Sequence, residues 1–192
     1  MLNISVILGS VREGRKSEAP ARYMLEKLKA LGAEAQLVDF KELPLPFVNC
    51  PLEPSEYNKE YPDQNVNAWS KIADAADGFV FVIPEYNHGY SAVLKNAMDW
   101  LYPEFVKKAA GLVGVSSGKI SGARAVEQFR TICGNFSIYD VRETVMFGPI
   151  KDAFDEAGKL KEAKYEKQVD GLLFTLLAAA QAMKELRIEK KI

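Results

Sequence analysis

The sequence predicts an α/β fold: a doubly wound five-stranded parallel sheet with helices on both faces, formed by a single domain over residues 1–192. Apolar runs of strand length alternate with segments of helical periodicity along the chain. One run, residues 78–83, is apolar without interruption, which is typical of a central parallel strand. The length and the 48% content of hydrophobic residues are enough to bury one complete core.

The first strand and the first helix frame a loop near the amino terminus. A strand is predicted at residues 2–8, and a helix with apolar side chains at three- and four-residue spacing runs from Ser17 to Gly32. Pro20 is tolerated because it falls in the first turn of this helix, where its missing N–H group has little effect. The second strand is predicted at residues 33–39.

Residues 43–63 form the longest predicted loop. They contain five of the nine prolines, a density that predicts no regular structure. A loop of this length in a compact domain is usually functional. The alternative is a surface excursion that is packed by its own aromatic side chains.

The remaining elements follow the same alternation of strand and helix. In chain order they are a helix at 65–76, a strand at 78–83, a helix at 91–101, a strand at 110–116, a loop at 118–122, a helix at 123–132, a strand at 136–146 that is interrupted near 140–144, and a long final helix that includes 169–183.

Composition argues against several classes of function. The formal net charge of −1 gives no basis for non-specific binding to nucleic acid or to a membrane surface. Cys50 and Cys133 form no CxxC motif, so we interpret them as reduced thiols without a metal or redox role. Met1 leads directly into a strand, and no apolar run approaches the roughly 18 residues of a membrane span. We therefore expect a cytoplasmic protein without a metal site or a membrane segment.

The loops after the first, third and fourth strands are the predicted binding site. Doubly wound sheets bind ligands outside the carboxyl ends of their strands, where the strand order reverses. In the first of these loops, backbone N–H groups and a helix N-terminus come together with basic side chains, which favours an anion. Ser10, Arg12 and Ser17 would give a phosphate a full set of donors without a metal.

Two common phosphate motifs do not fit this loop. A P-loop NTPase requires G-x-x-x-x-G-K-[ST], but here Arg15 stands at the lysine position, and Lys16 and Ser17 come one residue late. Neither later strand ends in the acidic residue that would hold Mg²⁺. The dinucleotide pattern G-x-G-x-x-G is absent after the first strand. A single phosphate monoester, such as that of FMN, fits the loop better.

The other two loops supply a candidate site for a flavin ring. Tyr86 offers a flat apolar surface and Asn87 a polar group for an isoalloxazine edge. Gly118 lets the backbone approach the ring, and Lys119 would stabilise negative charge on reduced flavin if it points inward. The alternatives are a packing role for Tyr86 and a solvated loop position for Lys119. His88 is the only histidine, so no paired catalytic histidine or multi-histidine metal site is predicted.

Three sequence motifs resemble those of the NAD(P)H-dependent FMN reductase family of flavodoxin-like proteins, which includes small quinone, azo-dye and chromate reductases. Pro84-Glu85-Tyr86-Asn87 and the later Leu94-Lys95-Asn96-Ala97-Met98-Asp99-Trp100 match its PEYN and LKNAxDW patterns. Gly9-Ser10-x-Arg12 is similar to its phosphate loop, here in a longer form with Gly14-Arg15-Lys16 inserted before Ser17. Ser117-Gly118-Lys119-x-x-Gly122-x-Arg124-Ala125 resembles its third flavin loop.

The resemblance implies a flavodoxin-like fold and an FMN site. The residues that it implies are Ser10, Arg12, Arg15 and Ser17 around the phosphate, Pro84, Glu85, Tyr86 and Asn87 along the isoalloxazine, mostly through backbone atoms, and Ser117, Gly118 and Lys119 on the other side. It also implies an enzyme that passes two electrons from NADPH or NADH through FMN to a quinone, azo, flavin or similar small-molecule acceptor with ping-pong kinetics. The chemistry would belong to the flavin, with no catalytic side chain. A homodimer or dimer of dimers is also implied. The candidate interfaces are the helix at 91–101, with Trp100 and Tyr102 at its end, and the last helix, because both have broad apolar faces.

The alternative function is a flavodoxin-type electron carrier that binds FMN without NAD(P)H activity. Such carriers usually have a Thr/Ser-rich phosphate loop and a strongly acidic surface. Arg12, Arg15 and the net charge of −1 argue against this class. A third possibility is a flavin-free scaffold, in which Arg12→Ala would leave ligand binding unchanged.

Overall fold

Five strands form one sheet in which every neighbouring pair is parallel, in the order β2-β1-β3-β4-β5. The computed structural model describes residues 1–189. The strands are β1 (Asn3–Leu8), β2 (Glu34–Asp39), β3 (Gly78–Pro84), β4 (Ala109–Val115) and β5 (Tyr139–Phe147). The helices are α1 (Glu18–Ala30), a 3₁₀ turn (Pro54–Tyr57), α2 (Gln64–Ala75), α3 (Ala92–Asp99), α4 (Ala123–Asn135), α5 (Ile150–Ala153) and α6 (Ala163–Ile188). The predicted doubly wound sheet is confirmed, and the predicted domain end at residue 192 lies outside the described residues.

The side chains of the central strands alternate between two separate cores, because successive residues of a strand point to opposite faces. Phe79 and Phe81 of β3 pack in the core that contains side chains of α2, α3 and α4. Val80 and Val82 pack in the core that contains side chains of α1 and α6. Helices therefore cover both faces of the sheet, which explains why β3 is buried along its whole length.

The strand order reverses between β1 and β3. From β1 the chain crosses to β2 on one side, and after β2 it returns to β3 on the other side of β1. Crossovers in opposite directions leave a crevice at the carboxyl ends of β1 and β3. The structure therefore places the crevice where the loops after these two strands meet.

The loop at residues 43–63 is more ordered than predicted. It contains one 3₁₀ turn, Pro54–Tyr57, in which the Glu56 side chain accepts a hydrogen bond from the Glu53 N–H group at 2.7 Å. Its first part is fixed to α3, because Trp100 Nε1 and Asn96 Nδ2 both donate to the Pro46 carbonyl, at 2.6 and 2.9 Å. The prediction of no regular structure was wrong for the 3₁₀ turn, where proline is tolerated at a helix start.

The boundary between α4 and β5 also differs from the prediction. Residues 136–138 are not strand: α4 continues to Asn135, and β5 begins only at Tyr139. Phe136 and Ile138 are buried in the core of α2, α3 and α4, so their apolar character reflects packing at the end of a helix. β5 is not broken near residues 140–144 as predicted but is one continuous strand, whose pairing with β4 shifts there: Ala110 pairs with Asp140 and Leu112 with Thr144.

Helix α6 packs along the sheet, and ion pairs connect it to the residue that precedes β3. Lys184 and Arg187 contact the carboxylate of Asp77, which precedes β3, at 2.9 and 2.8 Å. Burial alone would raise the pKa of Asp77, but these two cations and the Asn3 N–H group lower it. In the described part of the chain, no helix is long and apolar enough to cross a membrane.

Candidate functional site

A cavity of about 190 Å³ lies at the carboxyl ends of β1, β3 and β4. It is lined by Ser10, Arg12, Gly14, Arg15, Lys16, Ser17, Pro84, Glu85, Tyr86, Val115, Ser116, Ser117 and Ile150. Three loops that are distant in sequence contribute to it, as expected for a sheet of this topology. Eight of the eleven predicted site residues line this cavity, and Asn87, Gly118 and Lys119 do not.

The loop after β1 is held in place by its neighbours on both sides. A Cβ atom at Gly9 would lie 2.6 Å from the Val82 carbonyl oxygen and from Leu94 Cδ1, so only glycine fits there. The Gly9 carbonyl accepts a hydrogen bond from Ser91 Oγ at 2.6 Å, which connects the loop to the start of α3. Gly14 has a φ of +64°, a conformation that glycine adopts without strain. The loop can therefore present donors in a fixed arrangement.

Ser17 stands at the N-cap of α1 and lines the cavity, and its hydroxyl group is unused. Its residue is 3% exposed, and its Oγ atom is buried without a hydrogen-bond partner. It does not cap its own helix by a side-chain hydrogen bond. Buried hydroxyls without partners are unfavourable and uncommon in folded proteins. A ligand oxygen at the N-terminus of α1 would supply the partner.

Arg12 is exposed at the mouth of the cavity and lies close to Tyr86. Its guanidinium carbon is 5.5 Å from the centre of the Tyr86 ring, within the range of a cation–π interaction. The Tyr86 hydroxyl is 2.5 Å from Ser10 Oγ. No carboxylate of the described residues forms an ion pair with Arg12, so its charge is available to an anion.

Arg15 differs from Arg12, because its guanidinium is already engaged by the protein. Its Nη1 donates to Asp39 Oδ1 and to the Ser10 carbonyl, each at 2.8 Å, and its Nη2 contacts Asp39 and Glu18. The hydrogen bonding of Arg15 to the Asp39 carboxylate is the main reason that the pKa of Arg15 is raised. Burial alone would raise the pKa of Asp39, but the bonds from Arg15 and from the Lys41 N–H group lower it. Arg15 thus braces the loop against the end of β2.

The loop after β3 begins as an extension of the sheet and then turns back. The Glu85 N–H group donates to the Val115 carbonyl at 2.9 Å, and Tyr86 and Gly89 exchange two backbone hydrogen bonds. Asn87 and His88 complete this turn with φ values of +51° and +70°. Both are exposed, whereas Pro84 is buried. The turn therefore presents Glu85 and Tyr86 to the cavity and Asn87 to its outer side.

The loop after β4 contributes through Ser116 and Ser117 rather than through Lys119. Ser117 lines the cavity, while Gly118 and Lys119 are exposed. Ser116, Val115 and Ile150 line it too, and the sequence did not identify them. Ile150 begins α5, a short helix that follows the edge strand β5 and that the apolar pattern did not reveal. Only the packing of the sheet brings it to this cavity.

The donor set fits a phosphate monoester. Ser10 and Ser17 supply hydroxyls, Arg12 supplies a free guanidinium at the rim, and the start of α1 supplies a favourable dipole. Lys16 adds a further positive charge. In residues 1–189, no three side chains among His, Cys, Asp and Glu form a group that could hold a metal ion. The cavity is large enough for a phosphate and part of the chain attached to it, as the phosphate end of FMN requires.

Comparison with known proteins decides the family. Residues 2–152 match the family model of the NADPH-dependent FMN reductases. The chain belongs to this family. Over 141 residues it is 35% identical to an NAD(P)H-dependent FMN reductase of Saccharomyces cerevisiae, covering 68% of this chain and 73% of that protein. Over 194 residues it is 30% identical to an NAD(P)H:quinone oxidoreductase of Solanum tuberosum, covering 96% and 95%.

A solved structure shows the same fold. FerB, a flavoenzyme NAD(P)H:(acceptor) oxidoreductase from Paracoccus denitrificans, superposes with a TM-score of 0.75 at 20% identity, over 96% of this chain and 98% of that chain. Family membership makes this FMN reductase an FMN-dependent oxidoreductase with NAD(P)H as co-substrate. The fold and the motifs that predicted this class are thereby confirmed, and a carrier without NAD(P)H activity is not what the family implies.

Proposed function

We propose that this chain binds FMN with its phosphate in the loop after β1, and passes two electrons from NAD(P)H to a quinone, azo, flavin or similar acceptor by ping-pong kinetics. The unpartnered, buried Ser17 hydroxyl beside a free Arg12 carries the assignment of the phosphate site. When bound, FMN supplies the hydride chemistry, so no catalytic side chain is needed.

The residues of the chain divide into binding and bracing groups. Ser10, Arg12 and Ser17 hold the phosphate, and Arg15 holds their loop through Asp39. Pro84, Glu85, Tyr86 and Asn87 line the ring, while Ser117, Gly118 and Lys119 close the side next to β4. These roles agree with the family motifs, and the exposure of Lys119 means that it would have to turn inward to meet the flavin.

An apolar groove of about 350 Å³ next to the loop after β1 supports an acceptor of aromatic type. Its walls are Val11, Phe40, Lys41, Pro44, Leu45, Phe47, Ala92, Val93 and Asn96. One wall is the first part of the 43–63 loop, which Asn96 and Trp100 fix to α3. We propose that this loop shapes access for the acceptor and that nicotinamide and acceptor use the open ring face in turn.

Spectroscopy and kinetics test this proposal together. The purified protein should be yellow or should bind added FMN, and it should oxidise NADPH or NADH when given a quinone. Initial rates at several quinone concentrations should give parallel double-reciprocal lines, as ping-pong kinetics require. Intersecting lines would overturn the ping-pong order, and failure to bind FMN would overturn the function.

Arg12→Ala tests the phosphate assignment. Loss of a charge-assisted hydrogen bond worth about 1.5–3 kcal/mol should weaken FMN by roughly ten- to a hundredfold. Riboflavin, which lacks the phosphate, should bind both proteins alike. Arg142→Ala, an exposed position on β5, is the matched control. Equal FMN affinity in Arg12→Ala and in the unsubstituted protein would contradict the assignment.

We further propose a cytoplasmic homodimer or dimer of dimers. Phe174 of α6 is 77% exposed, an apolar group that a subunit contact would cover. Trp100 is not available at the end of α3, because it is buried against the 43–63 loop of its own subunit. Sedimentation equilibrium of the unsubstituted protein and of Phe174→Glu tests the assembly, and two monomeric proteins would contradict it.

A further inference from the structure

Glu85 carries a buried carboxylate of which only one oxygen is used. Its side chain is 7% exposed, and Oε1 accepts a hydrogen bond from Arg124 Nη1 of α4 at 3.1 Å. Its Oε2 atom is buried and has no hydrogen-bond partner. Glu85 also lines the cavity that contains Ser17, whose hydroxyl is unpartnered as well. The site therefore holds two unused polar atoms: a hydroxyl that can donate a hydrogen bond and a carboxylate oxygen that accepts one.

Because a carboxylate oxygen only accepts hydrogen bonds, the chemistry of Glu85 Oε2 restricts the groups that it can bind. Ionised carboxylate accepts hydrogen bonds and donates none, so its partner must be an O–H or N–H group. A phosphate oxygen is excluded at that point, because a second negative charge next to the buried Glu85 carboxylate would be strongly repelled. The basic loop and Glu85 thus give the cavity one anion-binding end and one end for a neutral donor.

We propose that Glu85 Oε2 accepts a hydrogen bond from a neutral donor of FMN, and that Arg124 positions the carboxylate for this contact. The neutral donors of FMN are its ribityl hydroxyls and the imide N–H of its ring. This inference rests on the proposed function of the site. It assigns to the Glu85 side chain a role that the family motif gives mainly to its backbone.

Two other glutamates, Glu104 and Glu143, also have a buried carboxylate oxygen without a partner, but they lie away from the cavity. Glu104 lies in the core, where Tyr61 and Ser70 donate to its Oε1 at 2.9 and 2.6 Å. Glu143 lies on β5. Neither lines the cavity around Ser17. Of these oxygens, only Glu85 Oε2 belongs to a residue that lines the cavity.

Measurement of FMN affinity by quenching of flavin fluorescence tests the inference without relying on turnover. Glu85→Ala should weaken FMN by about ten- to a hundredfold, the range expected for a hydrogen bond to a charged group. Glu85→Gln keeps the shape and an acceptor oxygen, so its loss should be smaller. Arg124→Ala should give a loss no larger than that of Glu85→Ala. Glu127→Gln, on the exposed side of α4, is the control and should bind FMN normally.

Two FMN analogues distinguish the donors. In one, a phosphoalkyl chain without hydroxyls replaces the ribityl phosphate, and in the other the imide nitrogen is methylated. If Glu85 binds a ribityl hydroxyl, Glu85→Ala and the unsubstituted protein should bind the phosphoalkyl analogue equally. If it binds the imide N–H group, they should bind the methylated analogue equally. Either result supports the inference and names the donor.

Three outcomes would overturn it. The first is FMN affinity in Glu85→Ala equal to that of the unsubstituted protein. The second is an equal loss of affinity in Glu85→Ala for FMN and for both analogues, which would indicate a structural role. Thermal unfolding of the unligated variants shows whether the fold is damaged. Glu85→Gln replaces Glu85→Ala in these measurements if Glu85→Ala does not fold. The third is failure of the unsubstituted protein to bind FMN, which overturns the proposed function too, whereas the first two leave it intact.

Discussion

Ser10 Oγ and the Tyr86 hydroxyl lie 2.5 Å apart, so a hydrogen bond joins the loop after β1 to the turn after β3. The guanidinium of Arg12 lies over the same tyrosine ring at 5.5 Å. The group that would hold the phosphate and the group that would hold the flavin ring are therefore in direct contact. A substitution in one loop should therefore also affect the other loop.

Tyr86→Phe should weaken FMN by roughly two- to tenfold. The substitution removes only the hydroxyl, and a neutral hydrogen bond contributes about 0.5–1.5 kcal/mol. The ring remains in place for Arg12 and for the flavin. Titration of FMN by fluorescence quenching measures the effect.

The exposed Tyr139 provides the control for this prediction. Tyr139→Phe makes the same chemical change at the start of β5 and should leave FMN affinity unchanged. If Tyr86→Phe binds FMN as tightly as the unsubstituted protein, the contact between the loops is not part of the binding site.

Ser17→Ala should separate ligand binding from stability. The Ser17 hydroxyl has no partner in the protein, so its removal should leave the unligated protein equally or more stable, while FMN affinity falls. Ser70→Ala should do the reverse, because the Ser70 hydroxyl donates to Glu104 at 2.6 Å. Its loss leaves a buried carboxylate with fewer donors and should lower the free energy of unfolding by about 1–3 kcal/mol. Calorimetry with and without FMN measures both, and a Ser17→Ala protein with normal FMN affinity would refute the assignment.

Asp39→Asn should loosen the loop after β1 and reduce stability at neutral pH. Asp39 holds Arg15, and hydrogen bonds from Arg15 and Lys41 outweigh burial, so that the pKa of Asp39 lies below its usual value of 3.8. A depressed pKa means that the unfolded chain binds more protons near that value, so this contribution is present above about pH 4 and is lost as pH falls through the folded pKa. Unfolding by denaturant should show a gap between the two proteins at pH 7 that closes in acid. A gap independent of pH would contradict this account.

Lys108 predicts a second pH effect, in the alkaline range. Its ammonium group is buried at 4% exposure and donates to the Ala73 and Asp74 carbonyls at the end of α2, at 2.6 and 2.7 Å. Burial lowers the pKa of Lys108 from 10.5 to about 8. Between these values the unfolded chain binds more protons than the folded one, so stability relative to Lys108→Met should rise with pH by up to about 1.4 kcal/mol per unit. Denaturant unfolding of both proteins from pH 7 to 10 measures the trend, and a flat difference would contradict it.

Local sequence patterns were sufficient to predict most of the fold. Continuous apolar runs located β3 and β4 to within a residue, since strands buried on both faces leave little room for polar side chains. The end of α4 was misplaced because Phe136 and Ile138 are apolar for reasons of packing that resemble the start of a strand. The helix α5 was not predicted, because four residues carry too little periodicity to be recognised.

The sequence by itself determined the order of the five strands and of the longer helices along the chain, the three loops of the site and the family. These depend on local spacing, which survives without knowledge of the fold. Only the tertiary structure decided which charges are free: Arg12 and Arg15 are chemically alike and three residues apart, yet Asp39 on β2 engages one and leaves the other available. It likewise placed Ile150 in the cavity and left Glu85 Oε2 without a partner. Contacts between distant segments arise only when the sheet brings strand ends together, and they set the charge and the hydrogen bonding of the site.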